Sequence, residues 1–105
     1  MSEKLFVELN GKAIIVHTFW IEHYDGALVA KMKCVDESQK SYFIVFENIS
    51  RLNMSGISYP FQICGFEIVD HHSRGYQNDS RFFVNDYEGG TLSFYCEKIE
   101  ILESV

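Results

Sequence analysis

Histidines and carboxylates gather in one stretch of this chain. Asp70, His71, His72 and Arg74 open a polar run, Asp79 and Arg81 close it, and Asp86 and Glu88 follow at the next turn. Imidazole nitrogen and carboxylate oxygen together can hold a divalent transition metal, zinc above all. Consecutive residues of an extended chain point to opposite sides, so His71 and His72 reach one ion only if the chain turns between them. Exposed loop histidines are the simpler expectation, and neither a metal nor another cofactor is expected.

Asp86 and Glu88 are spaced i, i+2, which on a strand sets two carboxylates on one side, as paired acid catalysis requires. Asp86-Tyr87-Glu88-Gly89-Gly90 leads straight into a turn, however, where such residues accept backbone N–H groups or face water. A cysteine nucleophile needs a base and a setting that stabilises thiolate. Cys96 lies between Phe94-Tyr95 and Glu97, an apolar and anionic neighbourhood that works against it. The chain contains no G-x-S-x-G, P-loop, H-E-x-x-H or G-x-G-x-x-G pattern, and catalysis is not expected.

Aromatic residues offer another chemistry. Trp20, Tyr24, Tyr42, Tyr59, Tyr76, Tyr87 and Tyr95 exceed what one small core needs. Tyr and Trp dominate binding hot spots because they join large apolar area to a polar tip. The expected partner-binding surface is the loop holding Tyr76 with the acidic Asp70, Asp79, Asp86 and Glu88.

The elements that must position these residues read as strands. Asn10-Gly11, Asp25-Gly26 and Glu88-Gly89-Gly90-Thr91 separate runs of β-branched and aromatic residues, and such turns fold adjacent runs back on each other. About seven antiparallel strands are expected: Leu5 to Leu9, Lys12 to Tyr24, Ala27 to Val35, Tyr42 to Phe46, Phe61 to Val69, Arg81 to Tyr87 and Leu92 to Leu102. The long second run should bend and serve two sheets or wrap a barrel. Leu28, Ala30, Met32 and Cys34 share one face, and Val29, Lys31 and Lys33 take the other. Glu47 to Pro60 reads as an ordered connection, with room for a helical turn at Asn48 to Leu52, a bulge or a short extra strand. Ile99 and Ile101 fall on the opposite parity to Leu92, Phe94 and Cys96, so a bulge near Glu97-Lys98 should return all five to one core. The fold class is all-β, a meander closed as a barrel-like sandwich or flattened barrel in a single domain spanning residues 1–105.

Length and charge bound the partners. At 105 residues, one core can form without staples. Fifteen acidic against nine basic residues give a net charge of -6, with no basic stripe. Nucleic acid and anionic membrane are therefore poor partners, and a basic protein is a better one. Met1 to Phe6 carries no signal-peptide pattern, which makes the cytoplasm the expected location. Cys34, Cys64 and Cys96 sit inside apolar strand patterns and read as reduced core residues.

The segment Arg81 to Glu97, with Phe82-Phe83-Val84-Asn85-Asp86-Tyr87-Glu88-Gly89-Gly90-Thr91-Leu92-Ser93-Phe94-Tyr95-Cys96 between, resembles a pattern of small acidic all-β bacterial proteins. Some of these are immunity proteins that neutralise a partner toxin. The resemblance implies a protein-interaction module that acts by binding, and it carries over no functional residue. The alternatives are a small-ligand or metal-binding β-barrel using Asp70, His71, His72 and Glu88, and a structural homodimer joined through an exposed edge strand.

Overall fold

Asp25 and Gly26 take φ of 47° and 79°, the two positive values that a two-residue hairpin turn demands. In the computed structural model, which describes residues 9–55, 61–70, 81–86 and 88–104, this turn sets the register of the longest pairing. Strands β1 (Ile14–Tyr24) and β2 (Ala27–Asp36) run antiparallel from Tyr24 opposite Ala27 to Ile14 opposite Asp36, with His17 inserted as a bulge between Val16 and Thr18. The long run therefore bends, but it stays within one sheet.

Seven further strands follow: β3 (Ser41–Glu47), β4 (Ser50–Met54), β5 (Phe61–Ile63), β6 (Phe66–Asp70), β7 (Phe82–Asp86), β8 (Leu92–Cys96) and β9 (Lys98–Ser104). They form a five-stranded sheet of order β5-β1-β2-β3-β9 and a four-stranded sheet of order β4-β8-β7-β6, both antiparallel. The sheets pack face to face as a sandwich and do not close into a barrel. The meander is partial. Consecutive strands pair in β1-β2-β3 and in β6-β7-β8, while β3 pairs β9, β4 pairs β8 and β1 pairs β5 across long sequence gaps.

Two expected strands prove to be pairs of strands divided by a sheet crossing. The chain leaves the five-stranded sheet between β3 and β4 at Asn48-Ile49, leaves it again between β5 and β6 at Cys64-Gly65, and re-enters between β8 and β9 at Glu97. The parity change after Cys96 is such a crossing and not a bulge within one strand. Leu92, Phe94, Cys96, Ile99 and Ile101 are all buried. The connection after Glu47 holds β4 instead of a helical turn. Its register shifts between Ser50 and Asn53, where Arg51 has a φ of 54°. Cys34 and Cys96 are buried, whereas Cys64 is exposed because it stands at a crossing. Of the expected first strand only Leu9 is among the described residues.

One apolar cluster lies between the layers. Ile14, Val16, Phe19, Met32, Ile44 and Phe46 come from the five-stranded sheet, and Phe66, Val84, Leu92 and Phe94 from the other. Phe46 and Phe94 meet edge to face across the gap, centroids 4.8 Å apart, the arrangement that aromatic quadrupoles favour. Both rings are fully buried. Phe94→Ala is expected to lower stability by about 3–5 kcal/mol, read as a drop in the urea midpoint.

Candidate functional site

The inward-facing row of β2, Ala30, Met32 and Cys34, ends at Asp36, and that of β7, Phe82 and Val84, ends at Asp86. Both carboxylates are buried, with residue exposures of 4% and 1%. A buried charge persists only when donors surround it, and here adjacent loops supply them. Asp86 Oδ1 accepts the N–H of Gly89 at 3.0 Å and of Gly65 at 3.2 Å, and Oδ2 accepts the Thr91 N–H at 3.3 Å. Asp36 Oδ1 accepts the Ser38 hydroxyl at 2.7 Å and the N–H groups of Ser38 and Lys40 at 2.9 and 3.0 Å. The Tyr42 hydroxyl donates to its Oδ2 at 3.2 Å, and Lys12 Nζ lies 3.8 Å away.

Burial opposes ionisation of both groups. For Asp86 the N–H donors of Gly89 and Gly65 with Thr91 outweigh it, and for Asp36 the Ser38 hydroxyl with the Lys40 and Ser38 N–H groups does so. Both carboxyls are held below the usual carboxylate range. Gly89 completes the Asp86 clamp: a Cβ there would stand 2.5 Å from Oδ2, too close for any side chain without displacing the carboxylate. Asp86 is thus committed to the fold and presents no carboxylate to a partner. Glu88, two residues on, is exposed in the turn, so the two acids do not face a common cleft.

Asp70 lies at the far end of the same ladder. Phe66 pairs Asp86 and Asp70 pairs Phe82, a separation of roughly 13 Å at the rise of a strand. Arg81 Nε and Nη2 reach Asp70 Oδ1 and Oδ2 at 3.2 Å each, a bidentate fork that closes the end of the hairpin. Asp70 and Asp86 therefore do not share a surface. His71, His72, Tyr76 and Asp79 lie outside the described residues. Among the described residues no group of three His, Cys, Asp or Glu converges as a metal site.

The thiols of Cys34 and Cys96 are pushed up to about 12 by burial, with the Asp36 charge adding to the effect at Cys34. At neutral pH neither is a thiolate nucleophile.

A different cluster stands on the solvent face of the five-stranded sheet. Trp20 Nε1 donates to Glu22 Oε1 at 2.9 Å, and Lys31 Nζ donates to Glu22 Oε2 at 3.0 Å. Lys31 also lies over the Tyr24 ring at 5.8 Å. Trp20 stacks on Phe43 across β2, with centroids 6.1 Å apart and planes at 17°. The Lys31 bond holds the Glu22 carboxyl below its ordinary value, and the same bond raises the Lys31 ammonium. Trp20, Glu22 and Tyr24 share a face because they alternate along β1, and the hairpin register brings Lys31 directly opposite Trp20. Behind this cluster, Ile21 and Leu28 are of inward parity yet 39% and 43% exposed, so this end of the hairpin overhangs the second sheet.

The opposite face of the molecule also carries aromatics. Phe83 and Tyr95 pair there at 4.9 Å, and the Arg51 guanidinium lies 5.1 Å over Tyr95. No protein-family model, curated protein or solved structure matches the chain.

Asp86→Asn keeps the shape but sets an amide donor against backbone N–H groups, and is expected to cost about 1–3 kcal/mol at neutral pH. A depressed carboxyl contributes its stability above the unfolded-state value, and that contribution is lost as pH falls through the lower folded value. The gap between Asp86→Asn and the parent should therefore be full at pH 7 and close progressively below about pH 4, as measured by urea unfolding along a pH series.

Proposed function

We propose that this chain is a non-enzymatic protein-binding module, and that the Trp20 face of its five-stranded sheet is the recognition surface. The observation that carries the reading is the fixing of Trp20 from two sides, by the hydrogen bond to Glu22 and by the Phe43 ring. An aromatic anchor already held in one position loses little entropy on binding, and this separates hot spots from incidental surface contacts. Tyr24, 55% exposed, extends the patch to the hairpin tip.

The charges on this face balance locally. Glu22 faces Lys31, and Lys98 pairs Glu47 along the β3-β9 ladder. The net charge of -6 acts at longer range and favours encounter with a basic partner. Toxin neutralisation by occlusion is the most concrete form of this function. In that form the module covers the working surface of a basic toxin and performs no chemistry itself.

A ligand-binding barrel is less well supported, because the sheets do not close and the buried cluster fills the space between them. The test is in-cell cross-linking of a tagged chain, followed by purification of the captured basic partner and titration. Trp20→Ala is expected to weaken the complex by about 2 kcal/mol, roughly 30-fold in Kd. Leu52→Ala, on the other sheet, should leave it unchanged. Equal affinity of the Trp20→Ala variant and the parent would remove this face from recognition.

A further inference from the structure

We propose that the outer edge of β9 pairs antiparallel with β9 of a second copy, about a two-fold axis at Ile101, to make one continuous ten-stranded sheet. The inference stands independently of the partner-binding reading above. Exposed backbone N–H and C=O groups on an edge strand invite pairing with another chain, and proteins protect such edges by shortening, bulging or covering them.

Three edges here carry such a device. At one side of the five-stranded sheet, β5 is only three residues long, and β1 beside it is bent by the His17 bulge. In the four-stranded sheet, β4 is bulged between Ser50 and Asn53. The β6 edge is covered by the Asn10-Gly11 turn. Gly11 donates to the Phe66 carbonyl, Phe66 N–H donates to the Lys12 carbonyl and Ile68 N–H to Asn10 Oδ1, at 2.6, 2.8 and 3.0 Å.

The edge formed by β9 is finished differently. It runs seven residues in unbroken register with β3, from Lys98 opposite Glu47 to Ser104 opposite Ser41, and contains neither proline nor bulge. Among the described residues no strand pairs with its far side. A groove of about 380 Å³ flanks its first half, with Arg81 and Phe82 on one wall and Lys98, Ile99 and Glu100 on the other, so the backbone is reachable there.

The side-chain pattern selects a second copy as the occupant. In a two-fold antiparallel pair centred on Ile101, Lys98 lies opposite Ser104, Ile99 opposite Glu103, and Glu100 opposite Leu102. No like charges stand face to face, and Glu103 already has Lys40 at 3.3 Å to balance it. Leu102, 47% exposed on the solvent face, gains the aliphatic part of the facing Glu100 as cover. A register centred on Glu100 would oppose two carboxylates, which cross-strand pairing disfavours.

Sedimentation equilibrium of the full chain tests this. The parent should weigh twice the 12.2 kDa of one chain. Leu102→Glu sets two glutamates opposite each other at both symmetry-related positions, and should raise the dimer Kd roughly tenfold. Adding Glu100→Lys converts both pairs to opposite charges and should restore the dimer. Both positions are exposed, and circular dichroism checks that the variants keep their strands. A parent that remains at single-chain mass at millimolar concentration overturns the proposal. So does a dimer indifferent to Leu102→Glu, or a double variant that stays dissociated.

Discussion

The two ionised aspartates at the ends of the inward rows are the constraint on which the rest of this sandwich depends. Hairpin loops leave N–H groups that strand pairing does not use, and such groups are costly when removed from water. Asp86 collects them from the β7-β8 turn and from Gly65 at a sheet crossing, so one carboxylate ties together two segments that are distant in sequence. Asp36 does the same for the β2-β3 loop and reaches the buried Tyr42. Both carboxylates stand at the same end of the sandwich, where Ile14 lies between Asp36 and Ile63 and the chain crosses through Gly65 to Asp86, and the space between the sheets is left to aliphatic and aromatic side chains.

Much of this was legible in local sequence. The Asp25-Gly26 turn implies a register in which Tyr24 meets Ala27 and Trp20 meets Lys31, and the alternation from Leu28 to Cys34 marks the inward face of β2. Both describe the structure. The same register also places Glu22 between Trp20 and Lys31, so the solvent-face cluster could have been read from the turn alone. Asp36 was legible too. It reads as the first residue of a polar loop, yet its parity continues that of Cys34 and directs it into the core.

What could not be read has a physical reason. A one-residue change of parity looks identical whether a strand bulges or passes from one sheet to another, because both return the same side chains to one core. That is why Phe61 to Val69 and Leu92 to Leu102 each read as a single strand. The pairings of β3 with β9 and of β4 with β8 join segments separated by long stretches of chain, and nothing in the local pattern of either partner specifies the other. Solvent-face aromatics carry a similar ambiguity. Phe83 and Tyr95 resemble Trp20 and Phe43 in sequence, and the two half-buried pairs differ in their neighbours, the Arg51 guanidinium over Tyr95 and the Glu22 carboxylate on Trp20.

The repeated passage of the chain between the two sheets has a mechanical consequence. Neither layer is a contiguous piece of chain, since the five-stranded sheet draws on the beginning, middle and end of the described sequence while the other is threaded between. The layers are interlaced, so one cannot peel from the other without breaking its own pairing. Unfolding should engage the whole body at once, and no cut at a single loop would release an intact half. Assembly carries the matching burden: β9 must find β3 after most of the chain is in place, a long closure that gives sandwiches of this kind their slow folding.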